Sequence, residues 1–130
     1  MPRITALYAG LLLLLFLVLT ARVLARRYKA QVVLGTGGDR MLERTVRAHA
    51  NCAEYVPVFL VTLLAAELCG APAVALHAAG VAMLAGRVAH SIGMSHDPDI
   101  VPLRGGGMIL TLSGLALAAL LALGGAAHLW

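Results

Sequence analysis

Three polar residues at the start of an apolar segment have the types and the spacing of a small-molecule site. Arg47, Asn51 and Glu54 stand in the stretch "RAHANCAEYVP", directly before "VFLVTLLAA". Their i, i+4, i+7 spacing places a guanidinium, an amide and a carboxylate within about 60° on one face of a helix. Tyr55 stands beside this face, and Pro57 frees a backbone carbonyl one turn into the helix. Ionisable groups are costly near lipid, so this face predicts a function.

Two interpretations of the polar face are open from spacing alone. In the structural one, Arg47 and Glu54 neutralise each other or pair with neighbouring chains, while Asn51 bonds across helices, as polar groups commonly do between membrane helices. In the functional one, the arginine binds a carboxylate and Glu54 binds an amine, so the ligand is a small zwitterion that carries carboxylates and an ammonium. Arg87 and His90, spaced i, i+3 on a later helix, share a face near the same membrane side.

The elements that position these residues are predicted to be membrane-spanning helices. Of the 130 residues, 61% are hydrophobic and only 12% are charged, whereas soluble domains average about 25% charged residues. Four apolar runs are each long enough to cross about 30 Å of hydrocarbon, where the backbone must satisfy its own hydrogen bonds as helix. The sequence therefore predicts an all-α membrane protein, a four-transmembrane-helix bundle in a single domain (1–130), with spans at about 4–24, 47–69, 71–92 and 107–128.

The connections predict how the spans are arranged. Only "GAP" (70–72) joins the second and third spans, which predicts a tight antiparallel hairpin. The segment 22–47 holds seven of the ten Lys and Arg residues, so the positive-inside rule places it and the loop 93–107 in the cytoplasm, with both termini on the opposite side. Helix one is expected to continue past the membrane, because no breaker precedes Gly35, and Asp39 is expected to cap the next helix. "RGGGM" (104–108) is expected to be a flexible lead into helix four.

Composition and motifs disfavour several classes of function. The net charge of +4 and the pI of about 9.7 are explained by topology and by contacts with anionic membrane lipids. No basic patch interleaved with aromatic residues is present, so no nucleic-acid partner is predicted. The five histidines show no ligand spacing, so no metal is predicted. A small four-span exporter is disfavoured because the first span carries no charged residue for proton coupling.

The polar motif resembles the signature of a known family, the membrane-associated proteins in eicosanoid and glutathione metabolism (the MAPEG family). That family includes microsomal glutathione transferases, a leukotriene-forming synthase and a lipoxygenase-activating protein. The segment "LERTVRAHANCAEYVPVFL" is similar to the family's Arg, Asn, Glu, Tyr and Pro pattern on the second helix. "GRVAHSIGMS" on the third helix and "RGGGMILTL" at the fourth are also similar, and the likeness covers nearly the whole chain. The sequence looks like one of the small bacterial-type members.

The resemblance implies a homotrimer in the bacterial inner membrane, with glutathione as co-substrate bound between neighbouring subunits and open towards the cytosol. The residues that this likeness and the shared helix faces assign to glutathione binding are Arg26, Arg47, His49, Asn51, Glu54, Tyr55, Arg87 and His90. Arg104 and Arg27 are the predicted catalytic residues, because a cation beside the thiol favours the thiolate. A free thiol has a pKa of about 8.5 and is otherwise mostly protonated at neutral pH.

Three positions depart from the family pattern. His90 and Met94 stand where leukotriene-type members have tyrosines, and Asp99 stands near the place of a loop arginine that is thought to stabilise the thiolate. Arg104 is the nearest arginine to that place. The expected function is that of a glutathione-dependent transferase or peroxidase, acting on lipophilic electrophiles or lipid hydroperoxides at the membrane. The alternative is a non-catalytic trimeric lipid-binding or scaffolding membrane protein of the same family, in which the motif serves packing.

Overall fold

Four long helices joined by short links make up the chain, and the computed structural model describes all 130 residues. The helices are α1 (Arg3–Ala30), α2 (Arg40–Leu68), α3 (Ala73–Met94) and α4 (Val101–Ala126). Each is long and apolar enough to cross a membrane. The prediction of an all-α, four-helix membrane bundle is therefore confirmed.

The two middle helices form the centre of the bundle. α2 and α3 each pack against all the other helices, whereas α1 and α4 do not touch. The core of the bundle is built on side chains that are almost completely buried, among them Leu12, Phe59, Leu63, Leu76 and Met83. Only 28 of the 130 residues are buried, so most apolar side chains of α1 and α4 face outward, towards lipid or another chain.

Local capping sets where the first two helices end and begin. α1 continues to Ala30, as expected, and stops where Gln31 adopts a left-handed conformation with φ of 54°. Asp39 caps α2, as predicted, because its carboxylate accepts a hydrogen bond from the Leu42 amide at 2.8 Å. Pro57 lies inside α2 without ending it, which is common in membrane helices because neighbouring groups satisfy the freed backbone.

Glycines let α3 and α4 approach each other closely. A Cβ atom added to Gly107 would lie 2.4 Å from the His90 amide nitrogen, and one added to Gly86 would lie 2.7 Å from the Thr111 amide nitrogen. α4 begins at Val101 and includes the "RGGGM" segment. The expectation that this segment is flexible is therefore wrong, because its last glycine is pinned against the α3 backbone.

The two ends of the bundle differ in chemistry. At one end, which we call the basic end, the start of α2 lies beside the α3–α4 link, and an Arg44 nitrogen lies 3.4 Å from an Asp97 carboxylate oxygen. At the opposite end, Glu67 accepts hydrogen bonds from the backbone amides of Ile4 at 2.9 Å and Thr5 at 2.7 Å. The fold thus ties the start of α1 to the end of α2 and collects the basic residues at the other membrane surface.

Candidate functional site

One face of α2 carries a continuous polar stripe. Arg40, Arg44, Arg47, Asn51 and Glu54 recur at intervals of four and three residues, which keeps them on one helical face over about four turns. We call these five residues the α2 stripe. It runs from the basic end of the bundle into the apolar part of the helix, so it joins a charged surface to the membrane interior.

Two charged members of the α2 stripe have no ionic partner within the chain. Arg47 and Glu54 are both exposed, and all the ion pairs of the chain involve other residues. The chain therefore lacks the mutual neutralisation that the structural interpretation allowed. Neither charge is therefore neutralised by an ion pair within the chain.

A buried arginine organises the interior behind the stripe. Arg87 is 2% exposed, and its Nη1 donates to Asn51 Oδ1 at 2.6 Å while its Nε donates to Thr111 Oγ1 at 2.8 Å. The guanidinium carbon lies 5.2 Å from the centre of the Tyr55 ring, within the range of a cation–π contact. No carboxylate contacts Arg87, so this cation is held by neutral groups alone. It fixes Asn51 and Tyr55 from the inside of the bundle.

His90 lies one turn after Arg87 and is also buried. Its Nδ1 is 3.0 Å from the backbone oxygen of Arg104, and because a carbonyl oxygen only accepts, Nδ1 is the donor. The other ring nitrogen, Nε2, is buried and has no hydrogen-bond partner. His90 therefore joins α3 to the first turn of α4 and keeps one acceptor free.

On the α1 side, Arg26 binds within the chain. Its guanidinium forms a salt bridge to Asp39 with an N–O distance of 2.9 Å. The hydrogen bond from the Leu42 amide, followed by that from Arg26, holds the pKa of the Asp39 carboxyl below its ordinary value. Arg26 thus joins the end of α1 to the cap of α2, and a ligand carboxylate would have to share it with Asp39.

Arg27 and His49 also have partners in the chain. Arg27 donates to the backbone oxygens of Val33 at 3.2 Å and Gly35 at 2.9 Å, which orders the link between α1 and α2. His49 Nε2 lies 3.1 Å from the Thr20 hydroxyl. Its ring also packs on an aromatic ring of α1 with centroids 4.5 Å apart. Both residues therefore hold α1 against the α1–α2 link and the start of α2.

Arginines from α2 and α4 meet two carboxylates of the α3–α4 link. Asp99 forms ion pairs with Arg44 of α2 and with Arg104 of α4. Asp97 lies 3.4 Å from Arg44 and 3.5 Å from Arg40. Arg104, one of the two predicted catalytic residues, is thus paired with a carboxylate of its own chain.

These groups surround a polar cavity of about 260 Å³ at the basic end, which we call the arginine cavity. The residues that line it are Arg40, Glu43, Arg44, Arg47, Met94, Asp99 and Arg104. The sequence placed Arg44 near the stripe with Arg47 and set Met94, Asp99 and Arg104 at or near family site positions, but it did not bring them into one cavity with Arg40 and Glu43. Extending the four-and-three spacing of the α2 stripe back to Arg40 would have added that residue.

An apolar groove lies between α1 and α2, on the face of α2 that is turned away from the stripe. It has a volume of about 220 Å³, and eight of its nine lining residues are hydrophobic, among them Leu13, Phe16, Val56 and Pro57. At 100° per residue, the α2 residues of the groove lie on the side of the helix opposite the α2 stripe. The groove is therefore suited to an apolar group but does not adjoin the charged side chains of the stripe.

The predicted residues fall into three groups, with Glu54 outside them. Asn51, Tyr55, Arg87 and His90 belong to the polar interior of α2, α3 and α4, whereas Arg47 and Arg104 line the arginine cavity. Arg26, Arg27 and His49 bind groups on the α1 side, and Glu54 is exposed on α2 without a partner. Within one chain, the α1 group and the interior group do not contact each other through these side chains.

Comparison with known proteins gives one family match and two relatives. The chain matches the family described as "MAPEG family" over residues 5–124. It is 35% identical over 127 residues to the "Inner membrane protein YecN" of Escherichia coli strain K12, an alignment that covers 98% of this chain and 91% of that protein. The protein of the same name in Escherichia coli O6:H1 strain CFT073 matches with the same identity and coverage.

Proposed function

The chain belongs to the MAPEG family, and on that premise we propose that it is a glutathione-dependent transferase or peroxidase. Its second substrates are lipophilic electrophiles or lipid hydroperoxides dissolved in the membrane. The membrane is the bacterial inner membrane, as in the name of the relatives, with the basic end in the cytoplasm because positive residues collect on that side. Glutathione is the co-substrate, and no metal is needed.

The observation that carries the proposal is the pair of exposed, unpartnered charges on the α2 stripe. Arg47 offers a fork that matches a carboxylate, and Glu54 offers an acceptor for an ammonium. Glutathione carries both groups. Between them, Asn51 is held by Arg87 through its oxygen at 2.6 Å, which leaves its NH₂ group to donate to a peptide carbonyl of the ligand. Tyr55 borders the same surface.

We propose that the working form is a homotrimer with glutathione between neighbouring chains. Glu54 lies seven residues after Arg47, where the span is predicted to begin, which corresponds to about 10 Å along the helix, and is exposed. A carboxylate at this depth is costly when it faces lipid. A second copy of the chain that covers this face removes Glu54 from lipid and encloses the bound tripeptide.

The chemistry that this arrangement supports is attack by the glutathione thiolate on an apolar electrophile. The apolar electrophile would approach the thiolate from the lipid side. Arg104 is the candidate to stabilise the thiolate from the basic end, and Arg27 of a neighbouring chain is the other. Charge-assisted donors in a partly dry site commonly make a large contribution to catalysis.

One observation favours the alternative of a non-catalytic lipid-binding or scaffolding trimer. Arg104 is paired with Asp99 and Arg27 binds two carbonyl oxygens, so neither is free to face a thiol in the single chain. A protein that retains the polar interior for packing would look the same. Turnover separates the two functions, because a scaffold binds without converting an electrophile.

Calorimetric titration of glutathione into the detergent-purified protein tests the proposal, with Glu54→Gln as the variant. Loss of one charge-assisted contact should weaken binding by about 10- to 100-fold. Glu67→Gln is the matched control, since it makes the same change on the same helix at the opposite end and should leave the affinity unchanged. No binding by the wild-type protein, or equal binding by Glu54→Gln, would refute the site.

Turnover of a chromogenic electrophile in the presence of glutathione then tests catalysis. Arg104→Gln should lower kcat if Arg104 acts on the thiolate. Binding without turnover by the wild-type protein would favour the scaffolding alternative.

A further inference from the structure

We infer that the arginine cavity at the basic end is a binding site for an anionic group, a carboxylate or a phosphate, and that Asp99 occupies it as an internal stand-in in the free protein. The site combines α2 and the start of α4, whereas Asp99 comes from the link between α3 and α4. The inference rests on the proposed function only for the identity of the natural ligand.

The position of Asp99 demonstrates that the arginines are placed to hold an anion. Its side chain is 13% exposed and pairs with Arg44, which is 16% exposed, and with Arg104 on the other side. A carboxylate between guanidinium groups from two helices is the geometry in which arginines recognise carboxylates and phosphates. Asp99 is therefore a model for the ligand group.

Asp99 does not use all the binding capacity of the cavity. Arg47 lines the same cavity and has no carboxylate partner. The volume of about 260 Å³ exceeds that of several water molecules at about 30 Å³ each, so a phosphate or carboxylate group fits beside or in place of Asp99.

The other acidic groups at the cavity are held less closely. Glu43 lines it and is exposed, and Asp97 is 35% exposed with nitrogen–oxygen distances of 3.4 and 3.5 Å to its arginines. Asp97 therefore lies at the rim, while Asp99 lies between the arginines. This difference makes Asp97 a matched control for Asp99 in the same link.

Exchange between Asp99 and an incoming anion would set the affinity of the site. A ligand binds more weakly in proportion to the fraction of molecules in which the site is available. Asp99 keeps the fraction of molecules with a vacant site low. The Asp99 carboxylate must leave the arginines before a ligand oxygen reaches Arg44 and Arg104. A carboxylate of glutathione and the phosphate of an anionic lipid present the same chemistry to these arginines.

Titration with inorganic phosphate tests the inference on the purified full-length protein. Asp99→Asn should bind phosphate about 10-fold more tightly than the wild type, because the competing carboxylate is removed. Asp97→Asn makes the same change of charge two positions away and should improve affinity by no more than about twofold, since exposed pairs contribute little. Equal effects of the two variants, or weaker phosphate binding by Asp99→Asn, would overturn the inference.

Hydrogen exchange in the wild-type protein provides a second test that needs no variant. Saturating phosphate should speed amide exchange in the link 95–100, because Asp99 is displaced. An anion that only added to the arginines would leave exchange in this link unchanged or slowed, and that result would count against displacement.

Competition identifies the source of the anion. Glutathione that displaces phosphate would assign the cavity to the proposed function, whereas short-chain phosphatidylglycerol that displaces it would assign the cavity to a lipid headgroup. If Asp99→Asn strengthens phosphate binding, the arginine cavity is an anion site even if glutathione never binds. If phosphate does not bind, or binds without responding to Asp99→Asn, the assignment of the cavity as an anion site fails even if glutathione binds elsewhere.

Discussion

Replacing Asn51 with alanine should destabilise the bundle by removing the hydrogen bond that supports a buried cation. Arg87 is 2% exposed and donates to Asn51 Oδ1 at 2.6 Å. Hydrogen bonds to charged groups contribute about 1.5–3 kcal/mol in soluble proteins, whereas hydrogen bonds between membrane helices average about 0.6 kcal/mol and reach about 1.7 kcal/mol. Because Arg87 has no counterion and its freed N–H reaches no water, we expect a loss near the upper membrane value, about 1.5 kcal/mol.

Reversible unfolding in mixed micelles, followed by helix circular dichroism, measures this loss. The double-mutant cycle with Arg87→Met isolates the pair, because without the guanidinium the Asn51→Ala change should cost less than about 0.5 kcal/mol. Thr62→Val is the control on the same helix, since the Thr62 hydroxyl bonds only the Val58 carbonyl of its own helix at 2.9 Å. Equal costs of Asn51→Ala with and without Arg87 would refute the assignment of Arg87 as the organising residue.

Two further predictions concern the cap of α2 and the contact of α3 with α4. Since the folded-state pKa of Asp39 is lowered, its ionised form stabilises the fold above about pH 4 and loses this effect as the pH falls through the folded-state pKa. Asp39→Asn should therefore show a smaller fall in Tm on acidification than the wild type, and an unchanged acid profile would contradict the role of the carboxylate. Gly107→Ala should cost about 1–3 kcal/mol through overpacking, because its Cβ would meet the His90 amide nitrogen at 2.4 Å. Gly106→Ala has nothing within 4 Å and should be neutral or slightly stabilising in the same thermal unfolding experiment; equal losses would contradict the close packing.

Local patterns account for the part of the fold that could be predicted. Hydropathy identified four helices, because each span needs its own long apolar run whatever its neighbours are. The Asp39 cap was predictable because it involves residues three apart in sequence, and the extension of α1 was predictable from the lack of a breaker. The start of α4 at Val101 was not, since the span was placed at about 107–128 and the three adjacent glycines, although expected to allow close helix approach, were read as a flexible lead.

The sequence by itself determined that a guanidinium, an amide and a carboxylate share one face of α2, because helical periodicity depends only on spacing. Only the tertiary structure decided the environment of each group. Asn51 contacts Arg87 across the bundle while Arg47 and Glu54 remain exposed, and Asp99 pairs with Arg44 and Arg104 from two other elements. These pairings depend on how the helices pack and where the α3–α4 link meets the start of α2, which no local pattern encodes.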